Sequence, residues 1–326
     1  MKKLIVGIDI SKDVLDYCIL QSIDFTVVGR GVIENNKVAI SRWLEKFDSE
    51  AIIVSMEHTG HYGALLTWLL SERKICFHML NPLELKRSMG IQRGKTDAID
   101  AYRIACYTIN NRQKMEPYSL PVEKLRKLKV LMTARERYVK MSVQLKNSLK
   151  ANQILAQTIN LKGLIREEKR QIGSLERSID RFEDQMKAII DSSEELKTNY
   201  KKITQVIGVG PITAIKCITE TDNFLKFSNA RKFSCHSGLA PFPYQSGSSI
   251  RGRTKTHYLR NKTLKAILFK AAGSAIQHDP QLKRYYQRKT QEGKHKLSVL
   301  NAVANKIVLR IFAVVKRDEP FIKLAA

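Results

Sequence analysis

The sequence predicts an α/β domain with a mixed sheet, then a long helical segment, then a basic and mainly helical C-terminal domain. Three observations support this fold class. Strand-like runs precede alternating helices and strands in residues 1–120, an order typical of a mixed sheet with helices packed on it. Apolar residues recur at heptad spacing within 121–200. Residues 201–326 contain 24 basic and 6 acidic residues. We therefore divide the chain at 120 and 200.

The elements of the first region follow from hydrophobic periodicity. Runs rich in β-branched residues predict five strands, at 3–9, 14–20, 25–28, 51–57 and 74–80. Helical periodicity predicts helices at 36–47 and 62–71, and a third that begins near Asp97, beyond the breaker Asn81-Pro82.

Asp97 and Asp100 stand three residues apart at that predicted helix start, so their side chains share one face. Two like charges so close repel each other unless a cation lies between them, and Mg²⁺ or Mn²⁺ takes oxygen ligands. The ordinary alternative is a helix start capped by Thr96, in which the acids favour the helix dipole. Three apolar residues are expected to pack behind the pair: Ile99, Ile104 and Ala105.

Two further acids close predicted buried strands. Asp9 ends the first strand and Glu57 ends the fourth, where catalytic groups of α/β sheets commonly lie. Together with Asp97 and Asp100 they make four carboxylates, enough to hold two metal ions. The alternative is that each is a separate solvated strand end or helix cap.

Four strings carry a resemblance to a known family: Gly7-Ile8-Asp9, Glu57-His58-Thr59-Gly60, Leu80-Asn81-Pro82 and Lys95-Thr96-Asp97-Ala98-Ile99-Asp100-Ala101. They resemble the DEDD transposases of the insertion-sequence-110 family, which includes the pilin-gene invertases. The order of elements resembles the RNase H-like fold in its Holliday-junction-resolvase, or RuvC-like, form.

That resemblance implies a DNA recombinase in which Asp9, Glu57, Asp97 and Asp100 bind metal. It also implies a coiled-coil linker that joins protomers into a homodimer or tetramer, and a noncoding bridge RNA that pairs with donor and target DNA. The residues themselves do not indicate an RNA partner.

The second region carries a heptad seam, at Ile172, Leu175, Ile179, Phe182, Met186 and Ile189. Gly163 and Gly173 interrupt the seam or mark a turn between two long helices. Periodicity alone allows either an intramolecular helical hairpin or a dimerising coiled coil. The resemblance favours the second.

The third region opens with Gly208 and Gly210 before a helix that Pro211 begins. This arrangement resembles a helix-hairpin-helix element, whose exposed amides suit a phosphate. The alternative is a tight turn between helices. Since the region carries a net charge of +18, we favour the phosphate-binding interpretation.

A Ser/Gly-rich loop follows at 244–253, and four basic residues beside it are expected to hold phosphate oxygens: Arg251, Arg253, Lys255 and Arg260. From the residues alone, a phosphate-binding loop without a covalent role is the simpler interpretation. The family resemblance instead matches Ser246 to a nucleophile, with Ser248 and Ser249 as further candidates.

Two amphipathic helices are predicted at 261–277 and 297–315. Their lysines are expected to point outward: Lys265, Lys270 and Lys306. Their apolar residues are expected to face a core: Leu264, Leu268, Ile307 and Leu309.

Composition bounds the remaining possibilities. The five cysteines are scattered, which indicates reduced thiols and no zinc site or disulfide framework. We see no secretory signal or membrane-spanning run and expect a soluble, cytoplasmic protein with no membrane partner. The net charge of +26 indicates a nucleic-acid partner.

Together with the family resemblance, the sequence predicts a transposase that uses Mg²⁺ or Mn²⁺, and the resemblance implies a 5′-phosphoserine intermediate. Two alternatives remain open. One is a metal-dependent nuclease in which water attacks the phosphate, and the other is a nucleic-acid-binding scaffold without catalysis.

Overall fold

A computed structural model describes residues 3–88, 90, 96–247 and 250–317. The chain forms two compact units, Met1–Leu120 and Pro121–Ala326. We describe each unit by itself. The further division of the second unit at residue 200 stays a prediction.

The first unit is built on a five-stranded mixed sheet. Its strands are β1 (Leu4–Ile10), β2 (Val14–Gln21), β3 (Val27–Glu34), β4 (Ile52–Glu57) and β5 (Cys76–Leu80). The spatial order is β3-β2-β1-β4-β5. Pairing is antiparallel from β1 to β2 and from β2 to β3, and parallel from β1 to β4 and from β4 to β5. This topology confirms the predicted mixed sheet.

The third strand differs from the predicted 25–28. Phe25 has a φ of 61° and belongs to the turn that precedes β3. Gly29, Arg30 and Gly31 break the hydrophobic pattern of the strand, so its full length was not visible in the sequence.

The described part of this unit also contains four helices: α1 (Lys37–Leu44), α2 (Ala64–Glu72), α3 (Pro82–Ser88) and α4 (Asp97–Asn111). A short 3₁₀ turn, Arg112–Lys114, follows α4. The pair Asn81-Pro82 begins α3 as well as ending β5, because Asn81 Oδ1 accepts a hydrogen bond from the Leu83 amide at 3.0 Å.

Each face of the sheet packs on a different set of helices. Alternate residues of β1, including Val6 and Ile8, form one core with Trp43 of α1 and Leu66 of α2. The opposite face packs on α4. The core on this face is smaller and contains Ile5, Cys18, Leu20, Ala101 and Ala105.

The second unit begins with an antiparallel pair of long helices, α5 (Glu123–Leu155) and α6 (Lys162–Asp191). Arg135 Nε lies 2.6 Å from Glu183 Oε1, and the Tyr138 and Phe182 rings are 5.2 Å apart. These contacts lie within one chain, so the heptad seam serves an intramolecular hairpin. A further contact with a second protomer stays a prediction. Gly163 and Gly173 both lie inside α6 and not in the turn.

Up to residue 317, where the described residues end, six further helices and a two-stranded hairpin follow: α7 (Glu194–Thr204), α8 (Pro211–Glu220), α9 (Ala230–His236), β6 (Phe242–Ser246), β7 (Ile250–Lys255), α10 (Lys262–His278), α11 (Pro280–Gln291) and α12 (Lys296–Lys316). Their core includes Leu128 from the start of α5, so the long hairpin and the C-terminal helices share one hydrophobic interior. The two predicted helices correspond to α10 and α12.

Two details of α12 differ from expectation. Leu309 was expected in the core but is 50% exposed, so that prediction is wrong; Ile307 and Val308 supply the buried side instead. Helix α12 is also long and apolar enough to cross a membrane, contrary to the expectation of no membrane-spanning run. Its apolar side chains, such as Val303 and Ile311, are buried in the core of this unit.

Candidate active site

Helix α4 lies directly on β1 because Gly7 has no side chain. A Cβ atom at this position would overlap the Ala101 carbonyl oxygen and the Ala105 amide nitrogen, both of which belong to the helix backbone. The close approach places the first turn of α4, with Asp97 and Asp100, over the end of β1 where Asp9 lies.

Three of the predicted acids, Glu57, Asp97 and Asp100, lie within electrostatic range of the fourth, Asp9. Strands β1 and β4 are parallel with Ile8 opposite Met56, so Asp9 and Glu57 are the next residues on adjacent strands. Burial raises the pKa of Asp9 from 3.8 to about 6, and the charges of Asp97, Asp100 and Glu57 contribute to the rise. A hydrogen bond from the Ile10 backbone acts in the opposite direction.

The first turn of α4 has the helix cap that the sequence allowed, and metal binding by its two acids stays a prediction. Thr96 Oγ1 accepts a hydrogen bond from the Ile99 amide at 3.3 Å, so Thr96 is the N-cap. Ile104 and Ala105 are buried behind the acids as expected, but Ile99 is 40% exposed, so its predicted burial is wrong. At 100° per residue, position 99 lies off the buried stripe formed by Ala101, Ile104 and Ala105.

The donor chemistry of this cluster fits a hard divalent cation, because every candidate ligand is a carboxylate oxygen. Among the residues that the structure describes, however, no group of three or more His, Cys, Asp or Glu side chains converges on a single point as metal ligands do. One cause is Asp100, whose carboxylate is held by Arg103 Nη1 at 2.9 Å. Only Oδ1 of Asp100 is bonded to Arg103, so Oδ2 would be the oxygen offered to a cation while this ion pair is kept.

A fifth carboxylate, that of Asp16, lies near Asp9 and was not predicted from the sequence. Asp16 on β2 is directly opposite Asp9 in the antiparallel register, and residues so paired point to the same face of the sheet. Burial raises the pKa of Asp16, and the charge of Asp97 adds to the effect. The sequence signal was an acid inside the apolar run of β2, a position that needs a partner or a cation.

Asn35 joins the loops at this end of the sheet. Its side-chain Nδ2 donates to the Ser11 carbonyl at 3.0 Å and to the Tyr62 carbonyl at 3.1 Å. Ser11 follows β1, and Tyr62 lies in the loop after Glu57. Asn35 therefore ties together the two segments that carry Asp9 and Glu57.

In the second unit, Ser246 is the last residue of β6 and pairs with Ile250 of β7. Gly247 follows with a φ of 58°, a conformation that favours glycine. Ser248 and Ser249, the other serine candidates, and Lys95 of the α4 string lie outside the described residues.

The predicted phosphate-binding residues lie on and beside this hairpin. Arg251 and Arg253 belong to β7, and Lys255 ends it with an exposed side chain. Arg260 is partly buried: its Nη1 donates to the His257 carbonyl at 3.3 Å, and its methylene groups fill the space that a side chain at Gly238 would need.

Polar contacts hold the segment that leads into β6. Lys265 Nζ donates to the Gly238 carbonyl at 2.9 Å, and Asn301 Nδ2 donates to the Leu239 carbonyl at 2.8 Å. The expectation that Lys265 points outward is therefore wrong. Burial and the neighbouring charge of Arg260 lower the pKa of Lys265. Lys265 thus holds the Gly238 carbonyl, a few residues before β6.

The two glycines before α8 have different surroundings. Gly208 has a φ of 91°, and a side chain there would overlap the Ala271 carbonyl and Ala275 of α10. It therefore permits close packing between helices. Gly210 caps α8 and has open space around its Cα. Phosphate binding at this turn stays a prediction.

A buried ion network joins α5, α8 and α9. Lys216 Nζ is 2.7 Å from Glu136 Oε1 and 3.0 Å from Glu220 Oε1, and His236 Nε2 is 3.3 Å from Glu220 Oε2. Burial opposes the ionisation of Glu220, but the hydrogen bond from His236 and the charge of Lys216 outweigh it and lower its pKa to about 2. This network fastens α5 to α8 and α9.

Comparison with known proteins gives consistent matches along the chain. Residues 6–160 match the DEDD transposase profile of the IS110 group, described as "Transposase". Residues 200–287 match the "Transposase IS116/IS110/IS902 family". The pilin gene-inverting proteins of Moraxella lacunata and Moraxella bovis are 26% and 25% identical, each over 99% of both chains. An uncharacterized 43.6 kDa protein of insertion element IS110 from Streptomyces coelicolor is 31% identical over 36% of this chain and 29% of its own.

Among solved structures, a Thermus thermophilus RuvC in complex with a Holliday junction substrate is similar at 13% identity and a TM-score of 0.28. It covers 36% of this chain and 99% of its own. The family matches cover both the acid-bearing unit and the serine-bearing unit. The chain therefore belongs to the IS110 family of transposases and is a DNA transposase or recombinase.

Proposed function

We propose that this transposase cleaves and rejoins DNA with two sets of residues, the acid cluster of the first unit and Ser246 of the second. The observation that carries the proposal is the close approach of α4 to β1 at Gly7, which gathers Asp97 and Asp100 beside Asp9 and Glu57. Separate strand ends and helix caps would have no reason to lie within range of one another.

The acid cluster is proposed to hold one or two Mg²⁺ or Mn²⁺ ions through Asp9, Glu57, Asp97 and Asp100. A bound divalent ion supplies charge neutralisation at a phosphate and eases loss of a proton from a hydroxyl group. Asp9 would release its proton with a cation bound beside it, because the positive charge offsets both the burial and the repulsion that raise its pKa. Arg103 would hold Asp100 in place.

Ser246 is the proposed nucleophile. Its Oγ would attack the phosphorus atom in line, the bond from phosphorus to the 3′ oxygen would break, and the 3′ oxygen would take up a proton. The serine proton would pass to a basic group or to water. The product is a 5′-phosphoserine, and attack by a 3′ hydroxyl group would reverse the step and rejoin the strand. Such a link keeps the energy of the phosphodiester bond.

Three further features of the proposal rest on the family resemblance. A second protomer would join through the α5–α6 hairpin to give a homodimer or tetramer. Acids and serine from different protomers would form one active site. A noncoding bridge RNA would pair with donor and target DNA. The pilin gene-inverting relatives make inversion of a DNA segment a second outcome of the same chemistry.

The experiment is to incubate the full-length protein with its flanking element DNA, Mg²⁺ and the adjacent transcript, and to look for a covalent protein–DNA adduct. We expect an adduct whose peptide contains Ser246. Ser246→Ala should form none. Because a Ser/Gly-rich loop is expected to be exposed, the free energy of unfolding should change by no more than about 0.5 kcal/mol.

Three outcomes would change the proposal. Strand cleavage without an adduct would assign the attack to water and support the nuclease alternative. No cleavage under any condition would support the non-catalytic scaffold. An adduct at Ser248 or Ser249 would move the nucleophile within the loop. Omitting the transcript tests the RNA requirement separately.

A further inference from the structure

An exposed aromatic turn joins β7 to α10. Tyr258 is 59% exposed and Leu259 is 53% exposed. The His257 and Tyr258 rings lie 4.5 Å apart with an interplanar angle of 32°, so His257 supports one side of the tyrosine. Single exposed apolar side chains are common on protein surfaces. Tyr258 differs from such isolated side chains because hydrogen bonds fix its turn and because the neighbouring sequence is basic.

Hydrogen bonds fix the turn on both sides. The Arg260 amide and its Nη1 both donate to the His257 carbonyl, at 3.2 Å and 3.3 Å. The Leu259 amide donates to His257 Nδ1 at 3.3 Å. The Asn261 amide donates to the His236 carbonyl at 2.9 Å, which joins the turn to α9. A ligand that binds here therefore loses little binding energy to ordering the turn.

The turn lies in a basic stretch with no acidic residue. Residues 251–262 contain five basic side chains: Arg251, Arg253, Lys255, Arg260 and Lys262. An open aromatic face beside cations is the combination that binds single-stranded nucleic acid, because cations contact the phosphates while the ring stacks on a base. A base within a duplex is stacked on both sides and leaves no free face for the tyrosine.

We propose that His257 and Tyr258 form a stacking site for one unpaired nucleobase at the base of the β6–β7 hairpin, with the adjacent phosphates bound by the flanking lysine and arginine side chains. The ligand class is an unpaired nucleotide, and a DNA or an RNA strand could supply it. The site does not require Ser246 to be a nucleophile. In a strand-cleaving enzyme it would hold a nucleotide out of the duplex next to the hairpin.

The test uses full-length protein and a short single-stranded oligonucleotide that contains 2-aminopurine, whose fluorescence falls when it stacks on an aromatic ring. DNA and RNA versions of one sequence, and the DNA version as a duplex, are titrated in parallel. We expect the wild type to quench at least one single strand. Tyr258→Phe should keep the quenching, because the ring remains. Tyr258→Ala should lose it and bind that strand about 5- to 150-fold more weakly.

Leu225→Ala is the matched control, since Leu225 is an exposed apolar residue of the same unit at 82% exposure, outside the 251–262 stretch. It should bind and quench like the wild type. The proposal is overturned if Tyr258→Ala quenches like the wild type, or if its duplex affinity falls as much as its single-strand affinity. Quenching with DNA alone or RNA alone identifies the source of the base. Ser246→Ala should quench normally, so failure of the serine proposal is distinguishable from failure of this one.

Discussion

The packing of α4 on β1 at Gly7 can be tested by adding one methyl group. In Gly7→Ala the new Cβ would overlap two backbone atoms of α4, the Ala101 carbonyl oxygen and the Ala105 amide nitrogen. Backbone atoms cannot rotate away as a flexible side chain can, so the helix must move. Overpacking of this kind costs about 1–3 kcal/mol, and we expect the upper part of that range.

Displacement of α4 also moves Asp97 and Asp100 away from Asp9. Their charges then raise the pKa of Asp9 less, so that pKa should fall from about 6 towards 3.8. Chemical denaturation measures the stability change, and carboxyl NMR titration measures the pKa. We expect loss of strand cleavage in the same variant, because the acid cluster is no longer assembled.

Gly273→Ala is the control. Gly273 lies inside α10 with nothing within 4 Å of an added Cβ. Alanine is the better helix former, so this variant should be more stable by about 0.5–1 kcal/mol. If Gly7→Ala unfolds at the wild-type denaturant concentration and Asp9 keeps a pKa of about 6, the close packing of α4 on β1 is wrong.

Three further predictions concern charge. Lys216→Met should destabilise the protein by about 3–5 kcal/mol in denaturant unfolding, because Glu136 keeps a buried charge without its partner and Glu220 keeps only His236. A loss below about 1 kcal/mol would contradict this. Asp9→Asn should stabilise the metal-free protein at neutral pH. The pKa of Asp9 is about 6 in the folded state and 3.8 in the unfolded state, so the wild type loses stability as pH rises from 3.8 to about 6. The stability gain of Asp9→Asn over the wild type should therefore develop across this pH range and be absent below it. Affinity of the whole chain for DNA should fall steeply with salt, because residues 201–326 carry +18, and a slope near zero would contradict a phosphate-binding surface.

Much of the first unit was predictable because its strands bury continuous apolar runs. The acids near the ends of β1 and β4, Asp9 and Glu57, were predicted as site residues because each interrupts or ends a continuous apolar run. Asp16 was missed because its position opposite Asp9 depends on strand register, which periodicity does not give. The extent of β3 was hidden by Gly29 and Gly31.

The second unit was harder to predict from its sequence. Helix α11 is mostly polar and buries only Leu282, so it has little hydrophobic signal. Lys265 was expected at the surface because lysine usually lies there, but the Gly238 carbonyl needs a donor in a turn that is partly buried. The heptad seam of α6 predicted a helical partner, and only the structure identified that partner as α5 of the same chain.

The central claim is that the acids of the first unit form one metal site, and direct Mn²⁺ binding tests it without DNA. Electron paramagnetic resonance counts bound Mn²⁺ in full-length protein at pH 7.5, with Glu84→Gln as a control for loss of an acid on a separate helix of the same unit. We predict saturable binding by the wild type and by the control, competition by Mg²⁺, and loss of binding in Asp97→Asn. Equal binding by Asp97→Asn and the wild type would contradict the claim.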